Sequence, residues 1–193
     1  PYTRFDTHYI YHTAWAARKV AEIDAPFHTD ISSSLYFSSI VSAFKPVHFY
    51  DFRPAKLNLS DLTSKAEDLT KLSFADNSVA SLSCMHTVEH VGLGRYGDAI
   101  DPEGDVVAAK ELERVVAKGG NLLFVVPIGK PKIQFNAHRI YSYEMVIEMF
   151  PGLTLKEFSL IPDNALEKGI IYNATEEQSD KQEYGCGCFW FTK

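Results

Sequence analysis

The chain has 193 residues, 46% hydrophobic and 23% charged, the composition of a globular domain large enough to bury a core without disulfide staples. Its formal charge of −6 and the lack of a basic stripe (the densest run, 130–132, holds Lys130 and Lys132) argue against a general nucleic-acid binder, and no apolar run approaches the roughly 20 residues of a membrane span. Three cysteines, Cys84, Cys186 and Cys188, are too few and too odd in number for a disulfide framework and point to a reducing, cytoplasmic setting. The sequence opens on Pro1 without a methionine, so a removed or trimmed leading segment is an open expectation.

Residues 8–23 place Ile10, Ala14, Ala17, Val20 and Ala21 at helical spacing, and Ala25-Pro26 ends the pattern because the residue before proline disfavours the α region. A short strand is expected over 27–31, a helix over 35–44 closed by Pro46, and a second strand over 47–50. The stretch 57–68 has room for a third strand, and 79–84 reads as a fourth. A helix over 106–116 is expected to stop at Gly119-Gly120, followed by a fifth strand over 122–126 stopped by Pro127. Ser142 caps a helix over 142–150. Residues 153–160 and 186–191 are late strands with β-type composition, separated by the acidic excursion 176–183.

Alternating strands and helices imply a doubly wound α/β sheet, in which ligands bind outside the carboxyl ends of the strands. The two late strands make it a Rossmann-like seven-stranded sheet, mostly parallel, with an antiparallel pair at one edge. The expected organisation is one domain over 1–193, a helical extension over 1–26 followed by an α/β core over 27–193.

The residues after each strand therefore matter most. They are Asp30-Ile31-Ser32-Ser33-Ser34, then Asp51-Phe52-Arg53, then Asp68-Leu69, then the run His86-Thr87-Val88-Glu89-His90. The segment AEDLTKLSFADNSVASLSCMHTVEH followed by ELERVVAKGGNLLFVV resembles the class I S-adenosylmethionine-dependent methyltransferases, over roughly residues 27–160. The runs HTVEHVGLGRYGDAIDPEGD and VPIGKPKIQFNAHRIYS look like an uncharacterised methyltransferase-like family whose members often accompany genes for surface-polysaccharide synthesis.

The resemblance implies S-adenosylmethionine as cofactor, held by Asp30, Ser32, Ser33, Asp51, Phe52, Asp68, Leu69 and His86. Asp51 lies where an acidic residue accepts hydrogen bonds from a ribose diol, Phe52 beside it packs on the adenine face, and Asp68 accepts from the adenine amino group. The blander role of each Asp is a turn or cap residue. The methyltransferase pattern asks for glycine at the places of Ser32 and Ser34, because glycine permits positive φ and close backbone approach. Gly92-Leu93-Gly94 is no phosphate motif, since it lacks the third glycine and follows the fourth strand.

On the acceptor side the long loop 91–105 offers Arg95, Tyr96 and Asp98, and the stretch after the fifth strand offers Asn136, His138 and Arg139. Methyl transfer to oxygen needs a base near the hydroxyl, so the catalytic candidates are His86, Glu89, His90 and His138. His8, His12, His28 and His48 are expected to be surface or satisfied core groups. Cys186 and Cys188 share one strand face, but without a second ligand pair no metal site is expected. The activity expected is methylation of a hydroxyl on a sugar or other polar metabolite, a small molecule or glycan. The alternatives are a lapsed methyltransferase-fold binding module and, more remotely, a nicotinamide oxidoreductase.

Overall fold

The computed structural model describes residues 2–193. In chain order the elements are α1 (Thr7–Glu22), β1 (His28–Ile31), α2 (Leu35–Val41), β2 (Val47–Asp51), β3 (Leu62–Ala66) and β4 (Val79–Met85). A 3-10 turn (Val88–His90), α3 (Gly104–Val115), β5 (Val116–Ile128), β6 (Lys132–Gln134), β7 (His138–Ile140) and α4 (Tyr143–Met149) follow. The chain closes with β8 (Thr154–Ile161), α5 (Ala165–Lys168), α6 (Glu176–Asp180) and β9 (Gly185–Thr192).

Seven strands form one sheet in the order β3-β2-β1-β4-β5-β9-β8. The pairs from β3 to β5 are parallel, and β9 runs antiparallel to both β5 and β8. The expected antiparallel edge pair is thus present, with β8 at the edge and β9 inserted between it and β5. Strand order reverses between β1 and β4, so the turns after β1 and β4 flank the crevice where such sheets take ligands.

Both faces of β5 are covered, which is why it is apolar from Leu122 to Ile128. Leu122, Phe124 and Val126 pack with Leu112 and Val115 of α3 and Val146 of α4, whereas Leu123 and Val125 face Trp15, Ala16 and Val20 of α1 and Phe37 of α2. Cys186 and Cys188 both lie on the α1 face, as their spacing predicts. Helix α1 is clipped to β8 by Trp15 Nε1 donating to Glu157 Oε1 (3.0 Å) and Lys19 Nζ donating to Glu157 Oε2 (2.7 Å).

Two boundaries differ from expectation. Helix α3 ends at Val115, within one residue of expectation, but β5 starts at Val116 instead of 122, so Gly119-Gly120 lies inside the strand, where residues 117–120 bulge out between the Val79–Val116 and Ser81–Asn121 pairs. Gly119 has φ 74°, a conformation that both a helix C-cap and a bulge require, so composition alone does not separate them. Pro127 does not end β5. Its missing N–H falls beyond the end of β4, and its carbonyl accepts from Tyr141 N (3.2 Å). The β6–β7 hairpin was not expected at all. No helix among the described residues is long and apolar enough to cross a membrane.

Beneath the first turn lies a buried polar chain. His28 and Asp30 share one face of β1, opposite Ser81 and Ser83 on β4. His28 Nδ1 lies 2.7 Å from Ser81 Oγ and Nε2 lies 2.8 Å from Ser83 Oγ, while Ser83 and Ser38 (2.9 Å) donate to the two oxygens of Asp30. With Ser83 donating to Asp30, its oxygen accepts from His28 Nε2–H, which leaves Nδ1 to accept from Ser81. His28 is therefore a satisfied core group, as expected.

Candidate functional site

The turn after β1 is built around an unusual backbone. Ser32 has φ 56°, a left-handed conformation that costs a serine on the order of 1 kcal/mol. It is held on both sides. Ser32 N donates to Tyr50 O (2.7 Å), and Thr87 Oγ1 donates to Ser32 O (2.9 Å), tying the ends of β1, β2 and β4 together. Ser33 is buried and its Oγ accepts from Met85 N (3.0 Å). Ser34 precedes α2 at φ −65° without a side-chain capping bond, so of the two serines only Ser32 stands where the backbone asks for glycine.

Ser32 Oγ is turned toward Tyr50 O at 3.4 Å. Replacing Ser32 by glycine is accordingly expected to raise stability by about 0.5 kcal/mol, the relieved strain less the entropy glycine adds to the unfolded chain. Urea midpoints of the two proteins measure it, and a destabilised glycine variant would show that the turn is not strained.

Asp51 and Phe52 follow β2. Asp51 Oδ1 accepts from Arg53 N (2.7 Å), and Phe52 is 66% exposed, an aromatic face left open to solvent. Asp68 is exposed, and its Oδ1 accepts from Thr70 N (2.8 Å) and Thr70 Oγ1 (2.7 Å), while Leu69 is buried in the core. Each aspartate thus does local turn work with Oδ1. Asp30 is fully buried below these turns, and burial pushes its carboxyl up to about 6 against the serine hydrogen bonds that hold it down.

The long loop after β4 is well organised. Asp98 accepts from the N–H groups of Gly92 (2.8 Å), Gly94 (3.2 Å) and Tyr96 (3.1 Å), one oxygen serving the glycines and the other Tyr96. Gly92 has φ 78°, and a Cβ there would sit 2.0 Å from Asp101 O, so no other residue fits. Tyr96 is half exposed between the guanidinium groups of Arg53 (5.5 Å) and Arg95 (5.7 Å), which brings the loop across to the end of β2.

Arg139, expected on the acceptor side, has a different task. It is 4% exposed, donates to Val91 O (2.7 Å) and Pro102 O (3.2 Å), and pairs with Asp105 (3.3 Å), which also accepts from Tyr141 Oη (3.0 Å). It fixes both ends of the long loop from below. Asn136 is exposed in the hairpin turn, and His138 stands half-buried at the start of β7.

The histidines gather around Glu89, which is 1% exposed. His86 Nδ1 lies 3.0 Å from Glu89 Oε1, and His86 itself has φ 53°. His90 Nε2 is 3.7 Å from the same oxygen, and its Nδ1–H donates to Ala137 O (2.5 Å). His138 lies 6.4 Å from His90 between ring centres; burial and then the His90 charge push it below its ordinary value.

Sequence reasoning missed the other half of this cluster. The start of α1 lies over it. His8 stacks on His86 (5.7 Å) and Tyr184 (5.0 Å), Tyr9 stacks on His86 (5.3 Å), and the His12 ring is 4.9 Å from that of His86. His12 is fully buried. Its Nδ1 bonds His8 O (2.7 Å), and its Nε2, like Glu89 Oε2, has no hydrogen-bond partner among the described residues. An unmade buried hydrogen bond costs about 1–3 kcal/mol, so both atoms call for an explanation. The signal was His8-x3-His12, two histidines one helical turn apart and hence on one face.

Comparison with known families supplies the relationship. Residues 50–182 match the family described as "Caenorhabditis protein of unknown function, DUF268". The chain belongs to that family. Its polar loop, Glu89 with His86, His90 and His138, and the hairpin all fall within the matched region, whereas β1, Ser32 and α1 precede it. No curated protein matches the sequence.

Solved structures similar to this member of the family are class I methyltransferases in fold. The N-methyltransferase NodS from Bradyrhizobium japonicum, solved with S-adenosyl-L-homocysteine, is 13% identical with a TM-score of 0.63, over 93% of this chain and 84% of that one. A TehB-like S-adenosylmethionine-dependent methyltransferase from Corynebacterium glutamicum is 14% identical with a TM-score of 0.58, over 92% and 86%. The [4+2]-cyclase SpnF is 11% identical with a TM-score of 0.61, over 94% and 80%. At such identities the likeness establishes the fold, and a cyclase among the neighbours shows that the fold does not dictate the reaction.

Proposed function

We propose that this protein binds S-adenosylmethionine above the β1–α2 turn and methylates a hydroxyl of a sugar or another polar metabolite, as one domain roofed by α1. The observation that carries this reading is the left-handed Ser32. The chain keeps, with serine and at an energetic cost, the backbone shape that glycine gives for close approach to a cofactor.

The residues around the crevice suit the group. Asp51 has Oδ2 left to accept from a ribose diol, Phe52 offers an exposed face for adenine, and Asp68 has Oδ2 left for an amino group. When bound, S-adenosylmethionine supplies a methyl group on a sulfonium, an electrophile that needs no further activation. The protein's own work is to align the acceptor and take its proton. His90 is the best base, since its Nδ1–H is committed to Ala137 O and Nε2 keeps its lone pair, with the Glu89 carboxylate near enough to steady the imidazolium that forms. His138, kept neutral beside it, and Asn136 supply hydrogen bonds to the acceptor. Tyr96, flanked by Arg53 and Arg95, is a platform on which a sugar ring stacks, and Asp98 holds that platform in place.

Asp51→Ala is expected to weaken S-adenosylhomocysteine binding by about 1.5–3 kcal/mol, the scale of hydrogen bonds to a charged group, with a smaller loss for Asp68→Ala. Calorimetric titration of both variants tests the assignment, and unchanged affinity for Asp51→Ala would remove Asp51 from it. A second reading, a lapsed module of the same fold, draws on one observation: Asp51 and Asp68 already serve local turns. In that case neither variant nor parent would bind the nucleoside.

A further inference from the structure

We propose that His8, His86 and Cys186 form a binding site for a zinc-like transition-metal ion, with the buried, unpartnered Nε2 of His12 beside the donor set. The donor atoms of the first three all lie within 4.8 Å of one another. A tetrahedral ion with bonds of about 2.0–2.3 Å wants donors roughly 3.3–3.7 Å apart. His86 Nε2 and Cys186 Sγ, at 3.4 Å, meet that already, and His8 sits half-buried in the first turn of α1, where a small side-chain adjustment closes the rest.

Three independent features support a ligand set over a chance cluster. His86 carries a carboxylate partner on its far nitrogen, the Glu89 contact at 3.0 Å, as metal-bound histidines do; it fixes the tautomer that leaves Nε2 free to ligate. His12 repeats the arrangement with a backbone carbonyl. Its Nδ1 is committed to His8 O at 2.7 Å, so its Nε2 is a buried lone pair without a partner, on a ring 4.9 Å from His86. Charge also balances: a Cys186 thiolate and the Glu89 carboxylate together offset a divalent ion.

The ligands come from α1, the turn after β4 and the start of β9, so the ion pins the N-terminal helix over the carboxyl ends of the sheet. The mixed nitrogen and sulfur donors favour zinc over magnesium or calcium. The site was invisible as a sequence motif because its ligands are 78 and 100 residues apart, from His8 to His86 and from His86 to Cys186. It does not depend on the methyltransferase reading, and it leaves His90 free to act as base.

The test is titration of the chelator-treated full chain with cobalt(II), read by absorption. One equivalent per chain should bind with a thiolate-to-cobalt charge-transfer band. The band should vanish in Cys186→Ser and persist in Cys84→Ser. Glu89→Gln should keep the band and weaken affinity by about 10–100-fold. His8→Ala, compared with the parent once circular dichroism shows the same fold, should weaken it further. No cobalt bound, cobalt bound without the thiolate band, or unchanged affinity in His8→Ala would overturn the site.

Discussion

Acidification from neutral pH is expected to destabilise the fold chiefly by forcing a proton onto buried His28. Burial, and then the nearby Lys45 charge, lower His28 from 6.5 to about 3. The neutral ring is thus the native form. Stability from this group is fully present above 6.5 and is lost as pH falls toward about 3. One pKa unit corresponds to about 1.4 kcal/mol, so the whole effect is on the order of 5 kcal/mol. Asp30 acts in the opposite sense. Burial raises it from 3.8 to about 6, so its contribution is present below 3.8 and lost as pH rises through about 6. It offsets on the order of 3 kcal/mol of the histidine loss between those limits. Urea unfolding from pH 7 to 4 measures the balance. His28→Gln should flatten the profile, and Asp30→Asn should steepen the loss below pH 6. Parallel profiles for all three proteins would mean that this buried chain does not set the pH dependence.

Arg139→Met is expected to cost about 3–5 kcal/mol of stability, the penalty for leaving one partner of a buried ion pair uncompensated. The guanidinium meets Asp105 at 3.3 Å and the carbonyls of Val91 and Pro102, and methionine restores the volume but none of these contacts. Asp105 keeps the Tyr141 hydroxyl, which softens the loss without cancelling it. The double variant with Asp105→Asn should recover part of the stability, since no unpaired charge then remains buried. Thermal or urea unfolding reads both. A loss below about 1 kcal/mol in the single variant would mean that Arg139 is free for acceptor binding after all.

The sheet was legible because its signals are local and repeated. The alternation in β5, the Ser142 cap, the Pro26 and Pro46 stops and the two late strands each follow from a few neighbouring residues. The Ser32 turn was legible as well, since a serine in place of an expected glycine predicts strain and φ is indeed 56°. Pro127 inside β5 and the β6–β7 hairpin were hidden, and so were three further features. Gly119 serves bulge and cap alike, so the start of β5 was misplaced. Arg139 reads as an exposed acceptor residue until the loop folds over it; its carbonyl partners lie 37 and 48 residues away. The approach of α1 to the site joins His8 and His12 to residues far along the chain, a contact that no periodicity encodes.

Calorimetric titration of the purified chain with S-adenosylhomocysteine, run beside NADPH, tests cofactor binding most directly. Saturable one-to-one binding of S-adenosylhomocysteine, weakened by Asp51→Ala, with no heat from NADPH, is the predicted result. No binding of S-adenosylhomocysteine by the folded protein would contradict it and leave the Ser32 turn as the relic of a lapsed site.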